Sequence, residues 1–126
     1  MKAYDRQLTR SKFRRLLADK DNMFYNPSCT MAMLGEYLCL NRTYTSLFIN
    51  DETGMDFRSF LRAVRLARSE LIMYDNPTMQ YTNVARLSGF PNVTAFRRAY
   101  KDKYGLAPSF VRNDTEESNY SAMSVN

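Results

Sequence analysis

Between residues 86 and 112 the chain carries Arg86, Arg97, Arg98, Lys101, Lys103 and Arg112 against a single acid, Asp102. An arginine fork donates paired hydrogen bonds to a planar acceptor and a lysine adds a point charge, so this stretch is equipped to hold a polyanion. The acids lie elsewhere, in Asp51, Glu52 and Asp56 and in a tail with Asp114, Glu116 and Glu117. The formal net charge is +5, from 18 Lys plus Arg against 13 Asp plus Glu, and the run of six cations against one acid makes the positive field local to this C-terminal stretch. Catalytic chemistry has no comparable support. There is no His, no glycine-rich loop to cradle a phosphate and no carboxylate pair on a recognisable scaffold, which argues against an enzyme. Cys29 and Cys39 lack C-x-x-C spacing and have no His to complete a zinc set, so neither a metal nor another cofactor is expected and both are read as free thiols. No apolar leader or span of membrane length is present, which predicts a cytoplasmic chain with no membrane partner.

Helices must position those side chains. A length of 126 residues with 44% hydrophobic content suits one domain, or two small subdomains sharing an element, and only four Gly and four Pro disfavour a turn-rich β-sandwich. Leu8, Phe13, Leu16 and Leu17 among many cations predict an amphipathic helix from Arg6 to Lys20, either a solvated leader or the end of a linker. After the break at Asn26-Pro27-Ser28, Thr30 caps a short helix from Met31 to Leu38. Asn41 caps a second that reaches about Asp51 and stops at Thr53-Gly54. Asp56 caps a long helix from Phe57 to Tyr74, ended by Asp75-Asn76-Pro77. On it Phe57, Phe60, Leu61, Val64, Ala67 and Leu71 share one sector while Arg58, Arg62 and Arg65 share another, which predicts a connecting rod with one buried and one cationic side. A further short helix starts near Thr82 and runs through Ser88. Gly89-Phe90-Pro91 turns the chain, and Asn92 caps a helix from Val93 to about Tyr104 that Gly105 ends. The polar tail, residues 113–126, reads as disordered.

The second half repeats the first. Asn41, Asp51, Gly54 and Met55 recur in order as Asn92, Asp102, Gly105 and Leu106; upstream, Leu34, Gly35 and Leu40 recur as Val84, Ala85 and Phe90, with a turn longer by one residue. Two short helices joined by a tight turn, with a small residue where they cross, form the helix-turn-helix plan. In that plan the second helix lies in the major groove of duplex DNA, its first turns meeting base edges while neighbouring groups fix phosphates. The second motif offers Asn92, Val93, Thr94, Arg97, Arg98 and Lys101, with Arg98 the first candidate for bidentate contact to guanine or a grip on phosphate. The first offers Asn41, Arg42, Thr43, Ser46, Leu47 and Asn50, a set with one cation that should contribute less affinity.

The stretch VARLSGFPNVTAFRRAYKDKYGLAPSFVR resembles the signature I-A-x-x-x-G-F-x-x-x-x-x-F-x-R-x-F-K-x-x-F-G-x-x-P-x-x-Y-R of the AraC/XylS transcription regulators. Val84, Ala85, Gly89, Phe90, Phe96, Arg98, Tyr100, Lys101, Tyr104, Gly105, Pro108 and Arg112 fall in its slots, and Val111 replaces the usual Tyr. Glu52, Thr53, Gly54, Phe57, Phe60, Leu61 and Arg65 likewise match the family's E-T-G-x-x-F-x-x-Y-L-x-x-x-R. The resemblance implies an all-α fold of about seven helices, two helix-turn-helix subdomains joined by a long helix, over residues 26–112: 26–56 the first motif, 57–75 the connecting helix and 78–112 the second. Residues 1–25 would then be the leading helix or linker. It also implies recognition helices in adjacent major-groove segments, spaced about 34 Å per duplex turn, and transcription activation with RNA polymerase as partner; many members carry a separate ligand-sensing domain, absent from this chain, which either acts alone or is a fragment of a longer regulator. Three places depart from the family: Leu47 stands where a polar residue is usual, Thr45 where a buried Leu is usual, and Ile49-Asn50-Asp51 where Phe-Lys-Lys is usual. The cation-poor first motif and an expected Met-rich surface including Met31 and Met33 leave one other function, a degenerate DNA-binding fold that docks on a regulator or polymerase.

Overall fold

In the computed structural model, which describes residues 4–108, short polar side chains start most of the helices. Asp5 caps α1 (Arg6–Ala18), Thr30 caps α2 (Met31–Leu38), Asn41 caps α3 (Arg42–Thr53), Asp56 caps α4 (Phe57–Asp75) and Asn92 caps α6 (Val93–Tyr104). In each case the side-chain oxygen accepts from the backbone N–H three residues on, filling one of the donors a helix start leaves open. Helix α5 (Tyr81–Ser88) follows Gln80 without such a bond. A 3-10 turn (Met23–Tyr25) lies between α1 and α2, and no strand occurs among the described residues. Six α-helices occur among the described residues where about seven were expected, and Val111, Arg112 and the tail expected to be disordered lie outside the described residues. No described helix is long and apolar enough to cross a membrane.

Two apolar cores form, one for each motif. In the first, Phe13, Phe24, Phe48 and Phe60 meet mostly edge to face, with ring centroids 5.3 Å apart for Phe13 and Phe48 and 5.2 Å for Phe24 and Phe60. Phe13 and Leu16 make α1 part of this core, at 2% and 6% exposure, which corrects the solvated leader or linker expected from its many cations. Leu8 and Leu17, placed with them on the apolar side, are exposed instead. The second core gathers Leu66, Val84, Ala85, Phe90, Phe96, Ala99 and Tyr100, and the Tyr81 hydroxyl donates to the Pro108 carbonyl to close the end of the described chain against it.

Helix α4 belongs to both cores, and this overturns its expected single buried sector. Its first half buries Phe60 and Leu61 in the first core; its second half buries Leu66 and packs Ile72 and Met73 against the second. The buried stripe shifts by roughly a third of a turn along 19 residues. Ala67 is therefore exposed and Leu71 is 63% exposed, while Arg65, expected on the cationic side, is buried. Its guanidinium donates from Nε to the Phe24 carbonyl and from Nη2 to the Asn26 carbonyl, both at 2.8 Å. Burial lowers the Arg65 pKa from its ordinary high value and raises that of the adjacent Cys29 thiol, which the Arg65 charge partly offsets. The 3-10 turn is thus held on one side by Arg65, and by Arg68 stacked 4.6 Å from the Tyr25 ring. On the other side the backbone of Gly89 closes so tightly that a Cβ there would come within 2.7 Å of Tyr25 backbone atoms.

Candidate nucleic-acid interface

The inner row of α6 fixes its outer row. Phe96, Ala99 and Tyr100 are buried, and Phe96 packs against Phe90 and Tyr81 with centroids 5.6 and 6.1 Å apart. With those positions committed, helical geometry turns positions 94, 97, 98 and 101 outward, and Thr94, Arg97, Arg98 and Lys101 are all exposed. Arg97 lies over the Tyr81 ring at 5.8 Å, a contact that steadies its guanidinium without covering it. Asn92 is exposed, but its side-chain oxygen is spent on the cap. Val93 differs from the outward residue expected: it is half-buried against the second core, because it lies three residues before Phe96 on the same side of the helix.

Helix α3 repeats this construction with other side chains. Thr45, Phe48 and Ile49 are its buried row; Arg42, Thr43, Leu47 and Asn50 are exposed, and Ser46 is half-buried. Asn41 caps the helix, and Asn50 turns its Nδ2 back to donate to the Ser46 carbonyl at 3.0 Å. Position for position, Thr43, Ser46, Leu47 and Asn50 stand where α6 has Thr94, Arg97, Arg98 and Lys101. Leu47 is 48% exposed, so its departure from the family's polar residue leaves an apolar surface in the slot of Arg98. Thr45, the departure from a buried Leu, donates its hydroxyl to the Asn41 carbonyl at 2.7 Å, so the buried polar group is satisfied. There is little room for more: a Cβ on Gly35 would meet Thr45 Oγ1 and the Leu40 carbonyl at 2.9 Å.

Ion pairs distribute the remaining charge. Arg10 Nε reaches both carboxylate oxygens of Glu52, at 2.8 and 3.1 Å, and Arg6 approaches Asp51 at 3.9 Å. These cations of α1 offset two acids at the C-terminal end of α3, where the helix dipole disfavours negative charge. On α6, Asp102 pairs with Arg62 of α4 at 3.5 Å, and Lys103 with Glu70 of α4 at 3.8 Å; Glu70 also accepts from the Tyr104 hydroxyl. Burial raises the Tyr100 pKa, and the Glu70 charge adds to the effect. A cleft of about 190 Å³ opens between α4 and α6, with Arg58, Arg62, Pro91, Ala95 and Arg98 among its lining residues. The sequence marked Arg58 and Arg62 as one side of a rod. Their shared cleft with Arg98 follows only from the packing of α4 on α6.

A family model described as a helix-turn-helix domain matches residues 34–114, more than half of the chain. The chain belongs to this family. The signature residues make it the AraC type, a family of DNA-binding transcription regulators. The AraC-type module is similar to the Msm operon regulatory protein of Streptococcus mutans, 24% identical over 94 residues that cover 75% of this chain and 34% of that protein, so the chain spans about a third of that relative's length. Its fold is that of the C-terminal domain of AraT, a response regulator from Geobacillus stearothermophilus, with TM-score 0.71 and 18% identity over 90% of this chain and 88% of that one. It is also similar to the DNA-binding domain of AdpA, a global transcriptional factor solved in complex with a target DNA, with TM-score 0.70 and 16% identity over 91% and 94% of the two chains.

Proposed function

We propose that the segment expected to be a double motif, residues 26–112, presents α3 and α6 to adjacent major-groove segments of duplex DNA, with α6 supplying most of the affinity. The observation that carries this is the outward row Thr94, Arg97, Arg98 and Lys101, three of its four members cationic, on a helix whose opposite row is buried. Groove-inserted helices need such a division, because the packed row sets the angle of entry while the free row meets base edges and phosphates. Arg98 reads guanine or holds phosphate, and Arg97 and Lys101 hold phosphates; on α3, Arg42, Thr43, Ser46, Leu47 and Asn50 make a weaker set in which Leu47 meets a thymine methyl. The DNA-bound AdpA domain of the same fold supports this mode. Transcription activation with RNA polymerase as partner, in the cytoplasm and without catalytic activity, completes the reading.

Selection of bound fragments from random duplex DNA, followed by salt titration of the selected site, tests it. The expected result is a site covering two groove segments, a steep loss of binding with salt, and a cost of about 1–3 kcal/mol for Arg98→Ala. Salt-insensitive binding, or no selected site, would instead favour docking on another protein.

A further inference from the structure

The cleft between α4 and α6 gathers guanidinium groups and no carboxylate among its lining residues. Arg65 on its wall is occupied by the Phe24 and Asn26 carbonyls. Arg58 and Arg98 are exposed, and the exposed Asp56 carboxylate at the start of α4 adds a negative charge near Arg58 and Arg62. Arg62 pairs with Asp102, their side chains 45% and 59% exposed. So open an ion pair is weak and yields readily to a stronger anion. Arg58 and Arg62 lie one helical turn apart, so both project from the same side of α4 toward the cleft edge that Arg98 forms on α6. Holding three cations around one concavity costs repulsion that an anion between them relieves. At about 190 Å³ the cleft is smaller than the usual small-molecule pocket of about 300–1,000 Å³ but ample for one phosphodiester group.

We propose that Arg58 and Arg62 grip backbone phosphates of the duplex beside the groove segment that α6 enters, so that the connecting helix is a DNA-contacting element as well as a spacer. This rests on the DNA-binding reading above. The cleft is continuous with the outward row of α6 through Arg98, which commits its occupant to the DNA backbone rather than to a free anion. A phosphate contact carries no base information, so Arg58 and Arg62 add affinity equally on every sequence, whereas Arg98 also affects preference. Asp102 competes with the phosphate for Arg62.

The test is fluorescence anisotropy of the whole chain on a random-sequence duplex and on a selected one, across salt concentration. Arg58→Ala and Arg62→Ala should each flatten the slope of log K against log salt by about 0.9, so that a fourfold rise in salt costs each variant about 3.5-fold less affinity than it costs the wild type. Both duplexes should weaken by the same factor. Lysine at either position should restore the slope. If the alanine variants lose helicity, the Arg58→Gln, Arg62→Gln double variant, which keeps the side-chain stems, should flatten it by the sum of the two, about 1.8. Asp102→Asn should tighten binding in the wild-type background and much less in the Arg62→Gln background. A wild-type slope in the glutamine double variant would overturn the phosphate grip alone, leaving α6 as the contact surface. No salt-dependent binding by the wild type would overturn the grip and the DNA-binding reading together.

Discussion

Helices α3 and α6 are held alike and equipped differently. Each begins at an asparagine cap and ends at a left-handed glycine, Gly54 or Gly105, and each buries one row, with Phe48 and Ile49 in one case and Ala99 and Tyr100 in the other. Each carries an aspartate, Asp51 or Asp102, paired with an arginine from a neighbouring helix. The outward slots share only their threonines: Ser46, Leu47 and Asn50 replace Arg97, Arg98 and Lys101. Buried rows answer to packing, so they preserve the helix; outward rows answer to whatever docks there and can change without disturbing the fold. The turns differ in a similar way. Cys39 and Gly89 both occupy the left-handed region after the first helix of their motif, at φ 59° and 96°, but only Gly89 is also pressed against the 3-10 turn.

The largest expected effect breaks the likeness of the turns. Gly89→Ala must place a Cβ against Tyr25 backbone atoms that cannot swing away, and should cost about 3 kcal/mol in urea unfolding. Cys39→Gly relieves a left-handed non-glycine residue and should gain about 0.5–1 kcal/mol after the extra entropy of the unfolded chain is counted. Changes of equal size and sign at the two sites would show that the 3-10 turn does not clamp the second motif.

Charge provides the next contrast, measured on the selected duplex. Alanine at Arg97, Arg98 or Lys101 should cost about 1–3 kcal/mol of binding each, more than Arg42→Ala. Leu47→Arg, which gives α3 the cation of the equivalent slot on α6, should steepen the salt dependence by about 0.9 in slope. Equal losses from the two helices, or no change on adding the arginine, would show that they share the load or that α3 stays clear of the backbone.

The smallest effect concerns the cap of the helix both motifs share. Hydrogen bonds from the Ser59 backbone N–H and then its hydroxyl hold the exposed Asp56 carboxyl below its ordinary pKa, with the Arg58 and Arg62 charges adding to them. A folded pKa below the unfolded one means that the cap's contribution is complete above the unfolded value and fades as pH falls through the folded one. Thermal melts taken from neutral pH into the acid range, below the ordinary carboxylate value, should show this loss in the wild type and a smaller one in Asp56→Asn, whose amide oxygen still accepts. Identical acid limbs would remove Asp56 from the account.

The helices and the outward slots of α6 were legible because their signals are local. A cap acts on a donor three residues away, a glycine on its own φ, and a periodic apolar row on one helix face, so α2, α3 and α6 could be bounded within about two residues. Val93 misled because a helix's first residue can turn either way until something packs beside it. Arg65 misled because its type is usually solvated, and only the placement of the Phe24 and Asn26 carbonyls makes burial favourable. The amino-acid order alone thus determined where the helices begin and end, that the motif occurs twice, and which copy is cationic. Tertiary structure decided that α1 joins the first core, that the buried side of α4 turns between two cores, and that Arg58, Arg62 and Arg98 share a cleft. Those outcomes depend on what meets each helix from far along the chain, and a periodicity read within one helix carries no information about its neighbours.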